Sequence, residues 1–147
     1  MKKIFLTTLL ALVVSLVSQA QQFKVITVVE SIVPGGVGRS RIIENQDDLN
    51  VDEFTTKRTN GRKSGQGNIK RGDAKVDQFA ESKLLNFYSL AGINFQNIAS
   101  NDALISSKLN QLASKGWELA FVTSGVESDA GNPDGKGIFI TRFVLKK

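Results

Sequence analysis

Four stretches of the chain carry a regular pattern of apolar and polar positions, and they predict its framework. Phe23 to Val33 (FKVITVVESIV) is dense in β-branched residues, which suit a pleated, half-buried surface. Val25, Thr27 and Val29 share one face, and Ile26, Val28 and Ile32 share the other. Apolar residues on both faces predict an interior strand covered on each side. Pro34-Gly35-Gly36 is a turn signal, and Val37 to Glu44 returns as a second strand, most simply as a β-hairpin. Trp117 to Thr123 alternates as a strand with Trp117, Leu119 and Phe121 on one face. Gly137 to Lys146 (GIFITRFVLK) is another strand, again apolar on both faces. Ser82 to Leu90 fits either helix or strand by period, and Phe87, Tyr88 and nearby Gly92 favour strand.

Helical spacing is clearest over roughly 102–115. Ile105, Leu109, Leu112 and Gly116 fall on one side, with Leu104 beside them. Ser106, Ser107, Asn110, Gln111 and Ser114 make the polar side. Ser100 or Asn101 suits the N-cap, and Asp102 the first turn. Lys115 followed by Gly116 is a typical helix ending, with glycine at C′. These elements predict an α+β domain: a small antiparallel or mixed sheet of about four to five strands, with one amphipathic helix on a face.

The chain around that framework changes character twice. Met1-Lys2-Lys3, the apolar run Ile4 to Val17 and Ser18-Gln19-Ala20 read together as a secretory signal peptide cleaved after Ala20. The apolar run is shorter than the roughly 20 residues that span a bilayer. The expected mature chain, 21–147, is then a single periplasmic or secreted domain, with no transmembrane segment after cleavage. Its formal charge falls from +5 to +3, because Lys2 and Lys3 leave with the signal. The second change runs over about 45–75, a long glycine-rich loop that is basic in its later part. Thr56 to Lys75 holds seven basic side chains against one acidic residue, and Ile69 is its only large apolar group. Such a segment buries too little apolar surface to offset its ordering entropy, so a mobile loop or arm is expected.

The residue inventory narrows the chemistry. Cysteine and histidine are absent, which excludes thiol and imidazole catalysis, thiolate and imidazole metal ligands, and disulfides. Neither a cofactor nor a catalytic or metal site is expected. Glu30, Glu44, Glu118 and Glu127 offer carboxylates for a hydrolase, but no spacing singles out a pair. Glu127 to Gly135 (ESDAGNPDG) fails the EF-hand pattern at both acidic ends; a looser calcium site would use Asp129, Asn132 and Asp134, and a turn explains the composition better. Gly61 to Gly72 lacks the spacing of a phosphate loop. The remaining feature is basic: Lys57, Arg58, Arg62, Lys63, Lys70, Arg71 and Lys75 could dock on phosphates of lipopolysaccharide, anionic lipid or nucleic acid. No aromatic lies between Thr55 and Val76, so base stacking is not available there.

Leu109, Asn110, Leu112, Gly116, Trp117, Glu118 and Leu119, in the run KLNQLASKGWEL, form a motif of a helix ending in Gly-Trp-Glu-Leu. With the opening FKVI and the closing FITRFVLKK, it resembles a bacterial domain-of-unknown-function family, family 4177. The resemblance covers about half of the mature chain and implies a strand, this helix and a closing hairpin, with 45–90 as an insertion. It implies no reaction. The leading expectation is a non-enzymatic exported domain that works by binding or association in the cell envelope, with an anionic component or a protein as partner. The alternatives are a polyanion-binding accessory protein acting through the basic loop, and a carboxylate-dependent hydrolase.

Overall fold

The computed structural model describes residues 20–33, 39–127 and 137–147. Residues 1–19 of the expected signal peptide 1–20, the Pro34–Gly36 turn and Asp129, Asn132 and Asp134 lie outside the described residues. The framework is a five-stranded antiparallel sheet with one helix packed on it, an α+β architecture. In chain order the elements are β1 (Phe23–Ser31), β2 (Arg41–Asn45), β3 (Arg58–Thr59), β4 (Lys63–Ser64), β5 (Phe79–Lys83), β6 (Tyr88–Ser89), β7 (Gly92–Ile93), α1 (Phe95–Ala113), β8 (Glu118–Glu127) and β9 (Ile138–Lys146). The main sheet runs β5-β2-β1-β9-β8, which places β1 at its centre. The expected pairing of the first two strands is present, with Val28 opposite Ile42.

Strand alternation divides the sheet into two unlike faces. Ile26, Val28, Ile42 and Leu145 turn toward α1 and form the core with Leu84 and Leu112, while Ile105, Trp117 and Phe143 pack around it. The opposite face carries Val25, Thr27 and Val29, and α1 does not cover it: the helix reaches the sheet through Glu30 and Glu44 on the core side. The expectation that β1 is covered on each side is therefore wrong for the described structure. Its apolar outer residues belong to a face that no described element covers.

Three further expectations shift. The helix begins at Phe95, six residues before Asn101, because Asn94 caps it by accepting the Asn97 N–H. Asn101, taken as a cap, sits fully buried inside the helix, and Leu104 points outward. The strand over Ser82 to Leu90 breaks up: Ser82 and Lys83 end β5, Tyr88 and Ser89 form a short ladder, and 84–87 crosses irregularly between them. The alternation of Trp117, Leu119 and Phe121 is reset by a bulge between Leu119 and Phe121. An inserted residue reverses strand parity. Leu119 lies opposite Leu145 on the core face, whereas Phe121 lies opposite Val144 on the other.

The helix ending holds as expected. Gly116 adopts φ 84°, its N–H bonds to Ala113, and the Trp117 N–H reaches back to Leu112, the paired bonds of a Schellman motif. That left-handed turn brings Trp117 onto the core beside Leu112. Leu112→Ala should accordingly cost about 2–5 kcal/mol in urea denaturation, the range for emptying a packed leucine site. A cost below half a kilocalorie would place the helix on the wrong face.

Candidate functional site

The basic segment is an excursion between two neighbouring antiparallel strands, β2 and β5. Its base is closed by Asp47, whose carboxylate accepts the N–H groups of Asp77 and Gln78, each at 2.7 Å. The Gln46 N–H adds a bond to the Gln78 carbonyl at 3.2 Å. Between these points the chain is not structureless. Val51–Phe54 forms a 3-10 turn capped by the Asn50 side chain, and Gln66–Asn68 forms another. β3 and β4 pair as a miniature hairpin through Asn60 and Gly61, both at positive φ. Asn-Gly at such a turn is a strong hairpin signal, legible in the sequence. The Gln66 amide then ties the two halves together by donating to the Phe54 carbonyl and Thr56 Oγ1.

Charge is sorted along this arm. Asp47, Asp48, Asp52 and Glu53 lie on the incoming side, and the seven basic residues follow from Lys57 to Lys75 with Asp73 alone among them. Lys57, Arg58, Arg62, Lys63, Lys70, Arg71 and Lys75 are all exposed, and none forms an ion pair among the described residues. Arg58 pairs opposite Ser64, and Lys63 opposite Thr59, so the two cations occupy opposite faces of the hairpin. The arrangement surrounds the tip with positive charge and does not focus it into a pocket. It suits adaptable electrostatic contact with a phosphate array.

The carboxylates do not assemble. Glu118 and Glu127 terminate the ten-residue strand β8, which separates them by about 30 Å. Glu30 lies four residues from Ile26 on β1, and Ile26 is the residue opposite Glu44. That register puts the two roughly 13 Å apart along the strands, beyond the reach of a paired acid and base. Glu44 is already occupied: Lys24 donates to it at 2.7 Å and Lys108 of α1 donates to its other oxygen. Lys24 also lies 5.6 Å from the centre of the Trp117 ring. Glu118 faces solvent beside Lys146, and Trp117 packs in the core. Among the described residues there is no group of three or more Asp or Glu side chains able to hold a metal ion.

A buried polar cluster escaped the sequence reading. Ser40 Oγ accepts the Ser31 N–H and donates to Asn86 Oδ1, and the Asn86 amide donates to the Val33 carbonyl. Asn101 accepts the Leu85 N–H, and its amide donates to the Leu85 carbonyl and to Glu30. Periodicity cannot reveal such a cluster, because it pairs residues up to 71 positions apart. Burial pushes the Glu30 carboxyl above its ordinary range; the Asn101 hydrogen bond partly offsets this, and nearby Asp102 reinforces it. No buried polar side-chain atom of the cluster lacks a partner, which marks it as a fastening.

No known protein family matches the chain, and no curated protein or solved structure matches it either. The likeness to family 4177 thus rests on the sequence resemblance of the helix-end motif, the opening FKVI and the closing FITRFVLKK.

Glu44 gives a test of the electrostatics. Burial opposes its ionisation, but the hydrogen bonds and positive charges of Lys108 and Lys24 outweigh that and hold its pKa below the ordinary value. A depressed folded pKa stabilises the protein above the unfolded value and loses that contribution as pH falls through the folded one. Glu44→Gln should cost about 1–2 kcal/mol near pH 7. The cost should shrink near pH 3, where wild-type Glu44 is itself largely protonated in the unfolded chain. Equal costs at both pH values would mean that the two lysine contacts contribute nothing.

Proposed function

We propose that the protein is an exported, non-enzymatic binding domain whose basic arm engages anionic polymers or surfaces of the cell envelope. One observation carries this reading: seven exposed cations, unpaired among the described residues, stand on an arm whose base is hydrogen-bonded shut. Asp73 is the one acidic residue among them, and it forms no ion pair with its basic neighbours among the described residues. Phosphate-rich partners satisfy such cations by releasing counterions, without a shaped pocket. The lack of aromatics between Thr55 and Val76 favours recognition of backbone or headgroup phosphates over bases. The dispersed carboxylates support a binding role over a hydrolytic one.

Retention on immobilised heparin and on lipopolysaccharide tests this. If about four cations are engaged, the logarithm of the binding constant should fall with the logarithm of salt at a slope near −3 to −4. Replacing Lys57, Arg58, Arg62, Lys63, Lys70, Arg71 and Lys75 by Ser should abolish retention while leaving the circular dichroism spectrum unchanged. Undiminished retention by that variant would overturn the reading.

A further inference from the structure

Among the described residues nothing covers the broad sheet face turned away from α1, and apolar side chains outnumber the charged ones on it. Val25 is 45% exposed, Phe79 46% and Phe121 62%. Val29, Ile43, Ile140 and Val144 lie among them, half-buried by their neighbours in the sheet. Five strands of the observed lengths, spaced about 4.8 Å apart and rising about 3.3 Å per residue, give a flat area on the order of 600 Å². The whole face, its charged positions included, matches the upper end of the largest patches on ordinary monomers, about 600 Å². Doubled, it reaches the roughly 1,200 Å² at which stable protein interfaces begin.

We infer that this face is the interface of a homodimer, in which two copies pack sheet on sheet with the two-fold axis running along the strands. The register supplies the argument. Across the middle of the face the residues read Glu81, Ile43, Thr27, Arg142, Thr123, from β5 to β8. One row along, Phe79 and Asn45 lie on the β5 side, and Val25, Val144 and Phe121 on the β8 side. The row on the other side reads Lys83, Arg41, Val29, Ile140, Gly125. Acid and base thus sit off-centre on opposite halves of the central row.

A face-to-face pair can place its two-fold axis along the strands or across them. An axis across the strands lays β9 on the second copy's β9 and sets Arg142 against its own equivalent, a like-charge contact. An axis along the strands lays β8 over the second copy's β5 and β9 over its β2. Arg142 then stands one strand spacing from the second copy's Glu81, within reach of a long side chain across a gap of about 10 Å. Arg142 forms no ion pair among the described residues, and Glu81 holds Arg41 through one oxygen at 2.6 Å. The same axis puts Phe121 over the second copy's Phe79. It also puts Lys83 over the cleft of about 340 Å³ lined by Thr123, Gly125, Glu127, Ile140 and Arg142. Charge and shape therefore choose the same arrangement, and they choose a second copy of this chain. Both basic arms leave from one end of the pair; that consequence rests on the reading of the arm above, whereas the dimer does not.

Sedimentation equilibrium of the purified protein at tens of micromolar should give the mass of two chains. Arg142→Glu and Glu81→Lys should each weaken association by about tenfold or more, and the double exchange should restore it to within about threefold of wild type. Phe121→Asp, an exposed position, should yield a folded monomer. A wild-type monomer at these concentrations would overturn the inference, as it would if the face instead bound only lipid vesicles or a different protein. A dimer indifferent to both charge exchanges, or one that the double exchange fails to restore, would rule out this arrangement.

Discussion

The architecture depends on one buried amide. Asn101 sits inside α1, yet its side chain hydrogen-bonds both backbone groups of Leu85 and the carboxylate of Glu30 on β1. It ties helix, crossing segment and central strand at a single point. Residues 84–87 belong to no strand: Leu84 and Phe87 donate their N–H groups to the Ser40 and Ser31 carbonyls, and the Leu85 groups and the Asn86 carbonyl are met by side chains. Asn101 supplies Leu85, and Asn97 donates to the Asn86 carbonyl one turn earlier on the helix. Each buried group left unpaired would cost about 1–3 kcal/mol, a large share of the 5–15 kcal/mol that holds a typical domain together. The same contact fixes the rotation of α1. With Asn101 facing the sheet, Ile105, Lys108 and Leu112 follow at helical spacing onto the core, the Glu44 carboxylate and the Trp117 turn.

Fastening the helix in this way determines what it cannot cover. α1 lies over β2, β1 and β9, and all ten residues of β8 remain exposed, Leu119, Val122 and Val126 on the helix side included. The far face of the sheet has no second layer among the described residues. The molecule therefore presents two unlike surfaces: an apolar sheet face, and a charged arm hung between β2 and β5. The first is suited to a surface of matching twist and size, the second to a flexible or repeating array of negative charge.

Much of this was legible in the sequence. The strands announced themselves through β-branched residues in alternation, and Lys115-Gly116 marked the end of the helix through the one residue type that takes a left-handed turn at little cost. The apolar character of both faces of β1 was also a true signal, although its cause is an uncovered face and not a second layer. What failed were positions where tertiary contacts override local pattern. Asn101 looked like a cap because asparagine favours caps, whereas its partners at Leu85 and Glu30 are set by the fold. Phe121 changed face because a bulge leaves no mark in composition. The arm was read as wholly irregular, although Asn60-Gly61 encodes its hairpin turn. Its cations could be counted from the sequence, but their exposure, and the absence of ion pairs to them among the described residues, needed the structure.

Amide hydrogen exchange at Leu85 addresses the central claim, that Asn101 holds the irregular crossing segment as firmly as a strand. Leu85 flanks a buried residue but is itself partly exposed, so its protection depends on the bond to Asn101 Oδ1 at 2.8 Å. The Leu85 amide should exchange only through global opening in the wild type. In Asn101→Ala it should exchange at least about a hundredfold faster than the core strand amides of the same protein, the signature of local release. Rapid exchange at Leu85 in the wild type, or unchanged protection in Asn101→Ala, would contradict the account.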